Sequence, residues 1–244
     1  MAKSGKIKAS GILFDKDGTL IDFDAFWVSL STVALTDILK GLRQDTALVQ
    51  PLLELFGVHG GVTDINGVLC KGTYGQMARI LQRFLQERGC VVAPEELEKR
   101  VLDSYNKCAH MGEVKPTCPN LPAVLQALKT QGKKIALVTT DNPQISALCL
   151  EKLGVLELFD HLYTDDGTLP VKPQPGCALA FCEAEGLSNE QVVMVGDTLT
   201  DMEFASNAGL RAIGLASRPE NRTVLAPHAD RLIGSLSELL EILE

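Results

Sequence analysis

Between residues 120 and 244 short apolar runs alternate with segments of helical period, and this alternation constrains the fold more than any other feature of the chain. The runs are Lys134–Thr139, His161–Thr164, Val192–Val195 and Arg211–Leu215, with a weaker one at Arg231–Ile233. Between them lie amphipathic stripes: Val124, Leu125 and Leu128, then Ile145, Leu148, Cys149 and Leu153, then Ala178, Phe181 and Cys182. Apolar runs without polar alternation are strands buried on both faces, and strands that alternate with helices build a parallel sheet. A further run, Ser10–Phe14, stands alone near the N-terminus and ends in Asp15-Lys16-Asp17-Gly18, which reads as a strand followed by a turn.

Residues 23–112 follow a different pattern. Four stripes of helical period and no convincing strand occupy them: Phe26, Leu30, Val33 and Ile38; Leu48, Leu52, Leu53 and Phe56; Met77, Ile80, Leu81, Phe84 and Leu85; and Leu97, Val101, Leu102 and Tyr105. These predict a helical bundle inserted into the α/β chain. The expected organisation is a Rossmann-like α/β core from residues 1–22 and 113–244, with helices on both faces of the sheet, and an all-α insert at 23–112.

Charge and cysteine usage exclude several function classes. The net charge of −8 opposes nucleic acid and anionic lipid surfaces. The seven cysteines, Cys70, Cys90, Cys108, Cys118, Cys149, Cys177 and Cys182, contain no C-x-x-C pair, so zinc-ribbon and thioredoxin readings fail. Scattered thiols fit a reducing cytosol. The apolar part of the N-terminus is too short for a signal peptide, and no run approaches a membrane span, so a cytoplasmic location is expected. The four histidines show no metal-ligand spacing, and Walker A, G-x-G-x-x-G, G-x-S-x-G and H-E-x-x-H patterns are missing.

Four polar segments are placed by this reading at strand C-terminal ends, where open parallel sheets hold their ligands. In Asp15-Lys16-Asp17-Gly18-Thr19 two carboxylates flank one residue in a turn that Gly18 permits. One could act as a nucleophile and the other as a general acid/base, or the segment is an Asp-rich turn. An EF-hand loop beginning at Asp15 is excluded, because Leu20 and Phe26 stand where Gly and Glu are required. Thr139-Thr140-Asp141-Asn142 offers hydroxyls to a phosphate oxygen, or caps the helix before Pro143. Lys172, ahead of Pro173 and Pro175, is a placed point charge or a solvated loop lysine. Asp197 and Asp201, in Gly196-Asp197-Thr198-Leu199-Thr200-Asp201, supply oxygen ligands to a hard cation, or mark a capped turn.

Taken in this order, Asp15–Thr19, Thr139, Lys172 and Asp197–Asp201 resemble the motifs of the haloacid dehalogenase superfamily, and the helical insert after the first strand resembles the C1 cap of its subfamily I. The resemblance, which spans essentially the whole chain, implies a Mg²⁺-dependent phosphatase. It makes Asp15 the nucleophile and a metal ligand, and Asp17 the acid/base that lends its backbone carbonyl to the metal. Asp197 would bind Mg²⁺ directly, and Asp201 would hold a metal-bound water or a neighbouring ligand. Thr139, with Thr140 as the alternative, would bind a phosphoryl oxygen beside Lys172, and Gly18 and Thr19 complete the phosphate-binding turn. The carboxylate at Asp17 argues for an ester oxygen as leaving group and against dehalogenation.

The implied substrate is a small phosphorylated metabolite, phosphoglycolate-like or a sugar phosphate. The loop Asn66–Thr73 precedes a cap helix, and its Lys71 and Thr73 are candidates for a substrate carboxylate; the alternative is a Gly-rich turn capped by Thr73. Phe23-Asp24 departs from the serine that the family often carries near this position, which weakens substrate assignment by analogy. A phosphosugar mutase of the β-phosphoglucomutase type and a non-enzymatic phosphate- or partner-binding protein are the competing readings. A monomer or a homodimer is expected.

Overall fold

The computed structural model describes residues 5–217 and 219–244. Two compact units emerge from its internal contacts: residues up to Asp22 together with Lys115–Glu244, and Phe23–Val114.

Along the chain, β1 (Gly11–Phe14) comes first. The second unit follows with α1 (Phe23–Gly41), α2 (Val49–Leu55), β2 (Val58–His59), β3 (Val62–Thr63), α3 (Val68–Lys71), α4 (Tyr74–Gln86) and α5 (Pro94–Cys108). The first unit then resumes with α6 (Leu121–Thr130), β4 (Lys134–Val138), α7 (Pro143–Lys152), β5 (His161–Tyr163), α8 (Gly176–Glu185), β6 (Val192–Gly196), α9 (Leu199–Ala208), β7 (Arg211–Leu215), α10 (Pro219–Leu225), β8 (Arg231–Ile233) and α11 (Leu239–Ile242).

Among the described residues the first unit holds one six-stranded sheet, ordered β5-β4-β1-β6-β7-β8, with every pairing parallel. Every residue of β1 and β6 is buried, as a sheet covered on both faces requires. Leu13, Ala136, Val138, Val192 and Met194 face one way, into a cluster with Ala178 and Phe181 of α8 and Met202, Phe204 and Ala205 of α9. The alternate residues Ile12, Phe14, Ile135, Leu137, Val193 and Val195 are buried as completely on the opposite face. In α7 the buried stripe is Ile145, Cys149 and Leu150, whereas Leu148 and Leu153 are half-buried, so the helix is rotated from the stripe expected of it.

The sheet order also fixes where a ligand can sit. β1 lies in the middle, with β4 on one side and β6 on the other, and the crossovers reverse direction there. The crevice at such a reversal, beyond the strand C-termini, is the usual ligand position. Immediately past it the chain leaves for the second unit through a short paired stem. Asp22 N–H donates to the Lys115 carbonyl at 2.8 Å, Thr117 N–H to the Leu20 carbonyl at 3.1 Å, and Ile21 and Pro116 form an antiparallel bridge.

The second unit is a bundle of α1, α2, α4 and α5. Tyr105 of α5 is fully buried and its hydroxyl donates to Ser31 Oγ of α1 at 2.8 Å. Asp37 of α1 accepts from Ser104 Oγ at 2.9 Å and from Lys107 Nζ at 2.7 Å. The stretch expected to hold no strand carries the small hairpin β2–β3, turned by Gly60 and Gly61, both at positive φ. Asp24 of α1 anchors it, accepting from Thr63 N–H at 3.0 Å and Thr63 Oγ1 at 2.6 Å. No helix among the described residues is long and apolar enough to cross a membrane.

Candidate active site

The turn after β1 is tight because its backbone closes on itself. Leu20 and Ile21 N–H both donate to the Lys16 carbonyl, at 2.9 and 3.0 Å, and Gly18 N–H donates to the Ile21 carbonyl at 2.8 Å. Gly18 sits at φ +83°, and a Cβ there would lie 2.2 Å from Asp197 Oδ2. Glycine is therefore required twice, for the left-handed backbone and for the approach of a carboxylate. Thr19, fully buried, donates its hydroxyl to Asp197 Oδ1 at 2.9 Å. Gly18 and Thr19, expected to touch substrate, also seat Asp197.

Three carboxylates meet beside this turn. Oxygen atoms of Asp15, Asp197 and Asp201 all lie within 4.8 Å of one another. Asp15 follows β1 and its N–H continues the ladder to the Val195 carbonyl at 2.9 Å. Asp197 and Asp201 lie at the junction of β6 and α9. Thr198 caps α9 in a reciprocal box in which Asp201 Oδ2 accepts from Thr198 N–H at 3.0 Å and Thr198 Oγ1 at 2.6 Å. Gly196 makes room for this carboxylate, since a Cβ there would lie 2.3 Å from Asp201 Cγ. The capped turn and the carboxylate cluster, alternatives in the sequence, are one structure.

Lys172 joins the cluster from the loop between β5 and α8, well beyond the strand end where the sequence placed it. Its Nζ donates to Asp15 Oδ1 at 2.5 Å and to Asp201 Oδ1 at 2.6 Å. The lysine is buried, and although burial opposes its charge, Asp15 and Asp201 outweigh that and hold it protonated above its ordinary range. Burial, aided by the charges of Asp201 and Asp17 and opposed by Lys172, raises the Asp15 carboxyl to about 7. Burial and the charges of Asp15 and Asp201 also push Asp197 well above the usual carboxylate range.

A divalent cation fits this donor set. Three carboxylates around one lysine leave excess negative charge, and clustered hard oxygens are what Mg²⁺ prefers. Such an ion would favour the charged forms of Asp15 and Asp197 against the burial, and the carboxylate repulsion, that raise them. The Asp17 carboxylate is not part of the triad.

Asp17 belongs instead to a second charged group that sequence reasoning missed. Lys16 is fully buried, and its Nζ lies 2.8 Å from Asp17 Oδ2 and 3.0 Å from Asp141 Oδ2. Burial works against the Lys16 charge, yet the two carboxylates prevail and hold it protonated. Asp141 N–H donates to Thr139 Oγ1 at 3.2 Å, which ties this group to the hydroxyl at the end of β4. Asn142 caps α7, its Oδ1 accepting from Ile145 N–H at 2.9 Å, so the helix-cap reading of this segment holds alongside. Thr139 is buried and Thr140 exposed.

In the second unit, Lys71 Nζ donates to Asn66 Oδ1 at 2.8 Å. Thr73 caps α4 in a reciprocal box with Gln76: its Oγ1 accepts from Gln76 N–H at 3.2 Å, and its own N–H donates to Gln76 Oε1 at 2.8 Å. The Gly-rich turn capped by Thr73 is therefore formed.

The family model of haloacid dehalogenase-like hydrolases matches residues 9–209, a span that contains all four motif segments and the insert. The chain belongs to this family. Among its relatives, a phosphoglycolate phosphatase of Neisseria meningitidis is 29% identical over 240 residues, 96% of this chain and 93% of that protein. One of Psychrobacter arcticus is 31% identical over 144 residues, 55% of this chain and 63% of that protein. The crystal structure of a predicted phosphoglycolate phosphatase from Haemophilus somnus shares the fold, with a TM-score of 0.70, 20% identity, and coverage of 98% of this chain and 99% of that one. Family and relatives together make this member of the haloacid dehalogenase-like hydrolases a phosphatase-type enzyme.

Proposed function

We propose that the chain is a Mg²⁺-dependent phosphatase of a small phosphorylated metabolite, phosphoglycolate-like or a sugar phosphate, working through an aspartyl-phosphate on Asp15. The observation that carries this reading is the convergence of Lys172 and the Asp15–Asp197–Asp201 triad on the turn after the central strand. The phosphoglycolate-like substrate class draws on the relatives.

In the first half-reaction an Asp15 oxygen attacks phosphorus. The bond from phosphorus to the ester oxygen breaks, and Asp17 gives that oxygen its proton. In the second, Asp17 takes a proton from water, the hydroxide attacks the aspartyl-phosphate, and phosphate leaves with Asp15 restored. Phosphoryl transfer spreads charge over equatorial oxygens, so positioned cations do most of the work. Lys172, bonded to Asp15, supplies one of them. Asp15 and Asp197, with the Asp17 backbone carbonyl, would hold Mg²⁺, which supplies further positive charge to the phosphoryl oxygens. Asp201 has both oxygens engaged by Lys172 and Thr198, so its role is to hold the lysine and the neighbouring coordination shell. Thr139 Oγ1 accepts from Asp141 N–H, which leaves its own proton to donate to a phosphoryl oxygen.

The test is hydrolysis of p-nitrophenyl phosphate with and without Mg²⁺ by the wild type and Asp15→Asn, followed by a panel of phosphorylated metabolites. Metal-dependent turnover that Asp15→Asn abolishes supports the reading. Turnover that survives the substitution refutes it, as does conversion of β-glucose 1-phosphate to glucose 6-phosphate, the mutase reaction.

A further inference from the structure

Lys16 has no part in the reaction just described, yet it lies between its two principal carboxylates in sequence and is one of the largest fully buried side chains of the fold. An apolar residue could fill that position at lower cost, since an ammonium loses its hydration when buried and regains it only through well-placed partners. Here the partners are Asp17 Oδ2 at 2.8 Å and Asp141 Oδ2 at 3.0 Å. Buried ion pairs of this kind contribute little net stability over apolar residues, and their best-attested use is to specify one arrangement of groups.

The arrangement specified is visible in the bonds. Asp141 is itself fixed: its Oδ1 accepts from Asn142 N–H at 3.0 Å, its N–H donates to Thr139 Oγ1 at 3.2 Å, and its carbonyl accepts from Asp165 N–H at 2.8 Å. Lys16 thus runs as a strut from the end of β4, where Asp141 is bonded, to the carboxylate of Asp17 in the turn after β1. Asp17 has to hold one orientation toward the leaving oxygen in the first half-reaction and toward water in the second, and misplacement by about 1 Å is enough to cost about 10²-fold in rate.

We infer that Lys16 and Asp141 form a positioning pair that orients the Asp17 carboxylate for proton transfer, with Lys16 acting on Asp17 directly and Asp141 holding Lys16. This rests on the proposed phosphatase reading, in which Asp17 is the acid/base. In this reading neither residue contacts the substrate; each acts through the Asp17 carboxylate. Their contribution appears only where proton transfer matters, which separates them from residues that merely hold the fold.

The experiment compares kcat/KM, which reports events up to phosphorylation of Asp15, on two Mg²⁺-supported substrates. One is 2,4-dinitrophenyl phosphate, whose leaving group departs without a proton. The other is the alkyl phosphate that the wild type turns over fastest, whose alkoxide needs one. Lys16→Met is expected to lower the alkyl ester value by about 10- to 100-fold, part of the roughly 10²–10⁴-fold that general acid catalysis supplies, and the dinitrophenyl value by less than about threefold. Because Lys16→Met alone leaves Asp141 buried without its cation, Lys16→Met/Asp141→Asn, which removes both charges, is measured beside it and shows the same selectivity. Adding Lys16→Met to Asp17→Asn is expected to cost nothing further, because the lysine acts through that carboxylate. Equal losses on both substrates, no loss on either, or a further loss on top of Asp17→Asn overturns the inference. A wild type that hydrolyses neither ester overturns the phosphatase reading, and the positioning role with it.

Discussion

Gly18→Ala puts the architecture of the site to a quantitative test, because the substitution adds a single methyl group. Two costs follow from the structure. The first is conformational: at φ +83° an L-residue is disfavoured by about 1–2 kcal/mol. The second is a collision. The new Cβ would stand 2.2 Å from Asp197 Oδ2, and ordinary contact begins near 3.4 Å, so the carboxylate or the turn must yield by about 1.2 Å. That motion strains the 2.9 Å bond from Thr19 and carries an oxygen of the triad out of place. A displacement of this size costs about 10²-fold in rate. Gly132→Ala is the internal control. Gly132 also has positive φ, +79°, but nothing lies within 4 Å of its added Cβ, so only the conformational cost applies. Gly132→Ala is expected to lower Tm by about 2–8 °C, the shift that 1–2 kcal/mol gives in a domain of this size, and Gly18→Ala by at least as much. Only Gly18→Ala should lose about 10²-fold in kcat/KM on p-nitrophenyl phosphate and require more Mg²⁺ for half-activation. Thermal unfolding and a Mg²⁺ titration of activity decide the matter. Full activity in Gly18→Ala, or an equal loss in Gly132→Ala, refutes the reasoning.

Other consequences are as direct. The Asp15 carboxyl titrates near 7 in the folded, metal-free protein against 3.8 when unfolded, so the native state binds more protons between those values. Its contribution to stability is complete below about pH 4 and is lost as pH rises through about 7, with Asp197 shifted in the same sense. Urea unfolding in a chelator should show that decline, and Asp15→Asn should flatten it. Thr19→Val removes a hydrogen bond to a half-buried carboxylate, worth about 1.5–3 kcal/mol, and should raise the Mg²⁺ concentration for half-activation about tenfold or more. Tyr105→Phe leaves Ser31 Oγ without its donor in the inserted unit and should cost about 1 kcal/mol by thermal unfolding, with kcat/KM on p-nitrophenyl phosphate unchanged.

Much of this was legible in the sequence because the relevant signals are local. An apolar run that stops at Asp15, or at Gly196-Asp197, announces a strand end and the side chains just beyond it. Lys16 was not legible, because its burial depends on Asp141, a partner remote in sequence, and a lysine between two aspartates in a turn reads as solvated. Its one trace is a cation just past the end of an apolar strand, between two carboxylates, with a further carboxylate in the loop of the neighbouring strand. The bond from the Thr19 hydroxyl to Asp197 escapes for the same reason, since the two residues meet only across the fold. The hairpin Val58–Thr63 escaped because two-residue strands carry no period, although Gly60-Gly61 between them was a turn signal. The placement of Lys172 is not legible, because a loop of several residues separates it from the end of β5 and only the folded chain brings it to Asp15.

The stem formed by Leu20–Asp22 and Lys115–Thr117 has a consequence for how such a chain can change. Its two arms are hydrogen-bonded side by side, so the points where the chain departs and returns are held together by the first unit's own backbone. Closing a longer loop costs only about 0.6 kcal/mol for each doubling of its length once its ends are fixed. Whatever is threaded between Asp22 and Lys115 is therefore thermodynamically a side branch. Insertions and deletions there leave the register of β1 untouched, and selection can reshape the insert while the carboxylates at the end of β1 stay where they are.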